Sequence, residues 1–233
     1  MSSVNLEPLR AFAATHWEKL VRQFDDLDAL RQRLDYQTYI LAAAGLVSSL
    51  LLGIAHFATQ DAIEARRNED IQVTLEQVIP NSLHDNVLVN EVKSITEPSK
   101  SGTSTTPVYI ARKDGAVTGV AFKFTANGGY SGPIVLMIGM DKDGTVLGVR
   151  VVAHAETPGL GDKIERNKSD WIESFVNRSL ENTPAERFKV KKDGGEFDQF
   201  AGATITPRAV VNGVESGLQF FQRHKTELLE STP

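Results

Sequence analysis

A chain of 233 residues, 41% hydrophobic and 24% charged, is long enough for one good-sized folded domain with a further segment to spare. Its net charge of −5 argues against nucleic acid as a partner, which would call for a basic face. The absence of cysteine excludes disulfides, thiolate metal sites, cysteine-ligated iron–sulfur clusters and a cysteine nucleophile. The five histidines (His16, His56, His84, His154 and His224) are scattered without ligand spacing, so no metal site is expected.

Residues 1–35 carry Leu9, Phe12, Leu20, Phe24, Leu27, Leu30 and Leu34 mostly at three- and four-residue steps. That periodicity predicts an amphipathic helix, either leading into the next segment or docking on a partner subunit or the lipid surface. Residues 36–60, "YQTYILAAAGLVSSLLLGIAHFATQ", contain no Asp, Glu, Lys or Arg. A helix of about 20 residues crosses the hydrocarbon core of a bilayer. Tyr39 to Ala58 matches that length, with Tyr36 and Tyr39 at one end as interfacial aromatics. A cleaved signal peptide is disfavoured, since the segment starts far into the chain and lacks an A-x-A-like site after it. Arg22, Arg31 and Arg33 before the span, against Arg66 and Arg67 after it, slightly favour an inside N-terminus and an outside C-terminal domain.

Residues 61–233 read as a separate domain. "DAIEARRNEDIQVTLEQVIP" predicts a helix ending at Pro80, and residues 97–107, "EPSKSGTSTTP", a polar loop. Strands are predicted at "VYIARK" (from 108), "AVTGVAFKFTA" (116), "IVLMIGM" (134) and "TVLGVRVVA" (145), separated by the turns "KDG", "NGGYSG" and "DKDG". This pattern is an antiparallel meander. "NKSDWIESFV" (167–176) predicts a helix capped by Asn167 or Ser169, and "ERFKVKKDGGEFD" a short strand and turn. The last helix opens with Thr206 as N-cap and Pro207 at its first position, and buries a face of Val210, Val211, Val214, Leu218, Phe221 and Leu228. The fold class is α+β: one N-terminal transmembrane helix, then a soluble domain with an antiparallel sheet and flanking helices.

Two glycine-rich segments are candidates for chemistry. In "HAETPGLGDKIE" (154–165), Pro158 fixes a turn and Gly159 and Gly161 permit close approach of another group. A plain strand-to-helix loop would look the same, and "GLG" lacks the full G-x-G-x-x-G of a dinucleotide site. In "GGEFDQFAGATITPRAVVNGV" (194–214), Gly202 and Ala203 leave bare backbone beside Thr204 just ahead of a helix. A helix start suits a phosphate, and Arg208 in the first turn would add a charge-assisted contact. Helix capping by Thr204 and Thr206 explains the same residues.

The segments "NGGYSGPIVLMIGMDKDGTVLGVRVVAHAETPGLGDKIE" and "VKKDGGEFDQFAGATITPRAV" resemble the G subunit of the Rnf electron-transport complexes, over roughly Tyr39 to Phe221. That family shares its FMN-binding domain with the C subunit of the sodium-pumping NADH:quinone reductase. The resemblance implies FMN joined through its phosphate to a threonine in an S/T-G-A-T-x-S/T motif. Here the motif reads Ala201-Gly202-Ala203-Thr204-Ile205-Thr206, which makes Thr204 the acceptor, and Ala201 stands where Ser or Thr is usual. The resemblance further implies a flavin transferase that takes FMN from FAD, and a cytoplasmic-membrane protein with its large domain in the periplasm. The implied role is electron carriage between partner subunits of a complex that couples ferredoxin–NAD electron transfer to ion translocation.

Expected around the cofactor are Gly202, Ala203, Ile205, Thr206 and Arg208 on one side. Glu156, Thr157, Leu160, Gly161, Asp162 and Lys163 are expected on the other, with His154 or Glu156 able to tune the flavin. The sequence offers no acid–base pair for stand-alone catalysis. The alternatives are a C-type flavin protein of the sodium pump and an assembly anchor with a secondary redox role.

Overall fold

The computed structural model describes residues 34–99 and 102–230, so almost all of the helix expected over residues 1–35 lies outside the described residues. The first long element is helix α1, Leu34–Val78. The segment from Asp61, expected as a second helix, is its unbroken continuation, because no Gly or Pro interrupts residues 54–79. The helix stops ahead of Pro80, whose ring disfavours helical backbone in the residue before it.

The chain divides into two compact units, one ending at Glu64 and one starting at Ala65. In the first, Tyr39, Leu41, Leu46, Leu52 and Phe57 are each more than 70% exposed. Among the described residues no protein core covers these side chains, and the helix is long and apolar enough to cross a membrane.

The second unit is built on a five-stranded sheet: β1 (Val92–Ser99), β2 (Gly102–Lys113), β3 (Ala116–Ala126), β4 (Ile134–Asp141) and β5 (Val146–Ala153). Neighbours in space are neighbours in sequence and all pairs are antiparallel, as the predicted meander requires. Residues 97–99 and 102–107 correct the reading as a loop, since they pair with each other and with the rest of β1 and β2 as antiparallel strands. Polar side chains suit that hairpin because it is a sheet edge. Pro107 is tolerated because β2 meets β3 only from Val108 onward. Asp114 and Gly115, both at positive φ, close the β2–β3 turn.

Each face of the sheet carries a core. On one face lie Tyr109, Ala121 and Met137 with Leu75, Val78 and Ile79 from the end of α1 and just beyond it. Gly139 and Gly148 are opposed on β4 and β5, and the backbone of Val78 sits on them. A Cβ at Gly139 would come 2.2 Å from the Val78 carbonyl oxygen. The other face packs Phe122, Leu136 and Ile138 against helix α2 (Ile205–Leu229) through Val210, Val211, Val214, Leu218 and Phe221, as the helical periodicity predicts.

Between β5 and α2 the chain forms short turns rather than long elements. Residues 167–176 contain a six-residue 3-10 helix, Asp170–Phe175, instead of an α-helix; Ser169 caps it by accepting from the Trp171 N–H at 3.2 Å. The short strand expected within residues 186–198 reduces to one bridge, Val190 with Phe197. An aromatic cluster holds this region together: Phe175 stacks on Phe197 (4.7 Å) and Trp171 meets Phe200 edge-on (5.2 Å). The Trp171 indole N–H donates to the Asp198 carbonyl at 2.8 Å, which ties down the loop leading to Thr204.

Candidate functional site

A cavity of about 330 Å³ opens where the "TPGLG" turn faces the start of α2. That volume lies at the small end of the roughly 300–1,000 Å³ of small-molecule sites. Glu156, Thr157, Leu160 and Gly161 form one wall; Gly202, Ala203, Thr204, Ile205 and Thr206 form the other. The two glycine-rich segments, about 45 residues apart in sequence, therefore meet across one space.

Local chemistry explains each wall. In the first, the Leu160 and Gly161 N–H groups both donate to the Thr157 carbonyl, at 3.2 and 3.0 Å, and close a tight turn. Gly161 has no room for a side chain, because a Cβ there would come 2.9 Å from both the Glu156 Cβ and the Thr206 hydroxyl oxygen. In the second wall, Gly202 adopts φ +80° and the Ala203 N–H donates to the Phe200 carbonyl at 3.1 Å. This turn delivers Thr204 to the start of the helix.

The structure corrects the capping role expected of Thr206. Thr206 is not the N-cap. It lies inside the helix, 1% exposed, and donates its hydroxyl hydrogen to Glu156 Oε2. Thr204 holds the cap position, yet its backbone is already helical and its hydroxyl makes no capping hydrogen bond. The physical reason is the strong pull of the buried Glu156 carboxylate, which claims the Thr206 hydroxyl on the inward face. Thr204 is left half-exposed at the cavity edge with an uncommitted hydroxyl.

Arg208, Asp162 and Lys163 depart from their expected places, as none lines the cavity. The Arg208 guanidinium is engaged by Asp193 in a two-pronged ion pair at 2.6 and 2.9 Å. That hydrogen-bonded cation holds the Asp193 carboxyl below the usual carboxylate range. Asp162 points inward, 7% exposed, with Oδ1 lacking a hydrogen-bond partner, and Lys163 faces solvent. His154, just past β5, accepts from the Glu156 N–H through Nδ1 (3.0 Å) and contacts Glu165 through Nε2 (2.9 Å).

The sequence reading missed Tyr130. It sits in the β3–β4 loop, lines the cavity and is 70% exposed. The available signal was a lone aromatic inside the turn "NGGYSG", where small and polar residues would serve a plain turn better.

The geometry suits a flat, partly apolar ligand that ends in an anion. Leu160, Ile205 and Tyr130 give an exposed apolar rim. The helix start presents N–H groups without intrahelical acceptors and a partial positive charge. A free hydroxyl stands beside them.

The family model of the FMN-binding domain matches residues 129–219, a range that holds both walls and Tyr130. A protein of Cereibacter sphaeroides, named as the G subunit of an ion-translocating oxidoreductase complex, is 47% identical over 194 residues, covering 83% of this chain and 87% of that one. Proteins of the same name are similar in Vibrio vulnificus, at 41% over 204 residues (87% and 94% covered), and in Stutzerimonas stutzeri, at 42% over 200 residues (86% of each).

Proposed function

The chain belongs to the G-subunit family of Rnf-type ion-translocating oxidoreductase complexes, and from that premise we propose that it is a membrane-anchored electron carrier with FMN held through its phosphate on the Thr204 hydroxyl. The observation that carries the attachment is the uncommitted Thr204 hydroxyl at the edge of the cavity and at a helix start. When bound, FMN supplies the redox chemistry, and the protein supplies position and electrostatics.

In maturation the Thr204 hydroxyl loses its proton and bonds to the flavin-side phosphorus of FAD. The phosphoanhydride bond breaks and AMP leaves. A separate flavin transferase with a divalent metal carries out this step. The first N–H groups of α2 would meet the phosphodiester charge, since Arg208 is held by Asp193. Leu160, Thr157 and Gly161 on one side, with Gly202, Ala203 and Ile205 on the other, shape the slot, and Tyr130 closes its lip.

Electrons pass between partner subunits of the complex, which couples ferredoxin–NAD electron transfer to ion movement. The described part of the span carries no intramembrane acid, so ion passage falls to other subunits. The N-terminus is cytoplasmic and the large domain periplasmic, anchored in the lipid of the cytoplasmic membrane. Protease accessibility in right-side-out and inside-out vesicles tests that orientation.

The attachment is tested by expressing the full chain with its flavin transferase, denaturing it, and viewing the gel under ultraviolet light. Wild type and Thr204→Ser fluoresce and Thr204→Val is dark. A fluorescent Thr204→Val band overturns the assignment.

A further inference from the structure

Glu156 is the one carboxylate among the described residues lining the cavity, and it is 4% exposed. Its Oε1 accepts from the Ser131 N–H at 3.0 Å and its Oε2 accepts from the Thr206 hydroxyl. Both oxygens thus serve as acceptors. Its own N–H donates to His154 Nδ1, which leaves Nε2 as the protonated nitrogen that donates to Glu165. One side chain therefore joins the β3–β4 loop, the "TPGLG" turn and the start of α2.

These contacts hold the walls together, but they do not require a charge. A neutral amide of the same size could meet the Ser131 N–H and the Thr206 hydroxyl. Burying a carboxylate is costly when no cation pairs with it, and none does among the described residues.

We propose that Glu156 is a positioning residue with two effects: it fixes the helix start that presents Thr204, and its fixed negative charge lowers the reduction potential of the flavin. The proposal rests on the FMN reading above. An electron entering the cavity adds negative charge near a carboxylate that two hydrogen bonds prevent from moving away. At an effective dielectric constant near 20, a unit charge about 10 Å away changes a one-electron equilibrium by roughly tenfold.

The test uses the full chain, expressed with flavin transferase and purified in detergent. Attachment is read by fluorescence in a denaturing gel, and the midpoint by spectroelectrochemical titration. Glu156→Gln keeps its flavin and shifts the midpoint positive, so that the reduced-to-oxidised ratio at the wild-type midpoint rises about tenfold. Glu156→Asp keeps the charge and restores the midpoint toward wild type. Glu156→Ala, which loses both tethers, also loses several-fold in attached flavin. An unchanged midpoint in Glu156→Gln overturns the electrostatic role, as does an equal positive shift in Glu156→Asp. Full attachment in Glu156→Ala overturns the positioning role. A dark wild-type band overturns the FMN reading itself and this inference with it.

Discussion

The seat of α1 on the sheet makes the sharpest prediction. Replacing Gly139 with Ala puts a methyl group 2.2 Å from the Val78 carbonyl oxygen and 2.8 Å from its carbon. Ordinary contact begins near 3.4 Å, so the backbone of Val78 must back away by about 1 Å. Unlike the end of a flexible side chain, a carbonyl on a packed helix cannot rotate aside. Leu75, Val78 and Ile79, all fully buried, move with it. Each contributes roughly 1.5–3 kcal/mol through burial, and overpacking of this kind costs about 1–3 kcal/mol. Partial loss of the three contacts brings the expected cost to about 3 kcal/mol. For a domain of 150–250 residues, 1 kcal/mol moves Tm by about 2–4 °C, so Gly139→Ala lowers the domain's Tm by roughly 6–12 °C. Differential scanning fluorimetry of the purified full chain measures it. Gly53→Ala, where a Cβ meets open space, is the matched control and leaves that transition in place. A Gly139→Ala transition within about 2 °C of wild type refutes the close seat.

Three more outcomes follow from other contacts. Trp171→Phe removes the hydrogen bond to the Asp198 carbonyl and should cost about 1 kcal/mol in thermal unfolding, with reduced flavin attachment because the loop before Thr204 loosens. Asp193→Asn breaks the pair with Arg208. Since Arg208 lowers the Asp193 carboxyl below its unfolded value, the stabilisation is present at neutral pH and lost as pH falls through that lowered value. The wild-type advantage in Tm should therefore be found at pH 7 and vanish under strong acid; an advantage that persists there contradicts the pairing. Tyr130→Leu removes an oxidisable ring from the lip of the cavity, so the fluorescence lifetime of the attached flavin in the native protein should lengthen. An unchanged lifetime places the ring elsewhere.

The elements with strong periodicity were legible in the sequence. Strands β2 to β5 follow from runs such as "VAFKFTA" and "VLMIGM" punctuated by Gly-containing turns, and the buried face of α2 from its Val, Leu and Phe spacing. Strand β1 was not legible. Of its described side chains only Ile95 is buried, so its pairing with β2 leaves almost no trace in hydrophobicity. The site was legible as two segments but not as one arrangement. Local capping rules favoured Thr206 as the cap because Pro207 follows it. Those rules contain no term for Glu156, fifty residues earlier, which takes that hydroxyl. Arg208 was misplaced for the same reason, since Asp193 competes for it from a turn whose position no local pattern encodes.

The serial order of the strands bears on how the protein is made. Each strand pairs with the one before it, so the sheet can zip up by local closures as the chain emerges. Helix α2 follows all five strands in sequence, and it lies on β3 and β4. Thr204 reaches the "TPGLG" turn only as part of that closing step. A chain cut within α2 would keep the strands yet lack the packing that holds one wall of the cavity in place. The cavity is therefore a product of tertiary closure, and it exists only once the helix has docked on a sheet that is already formed.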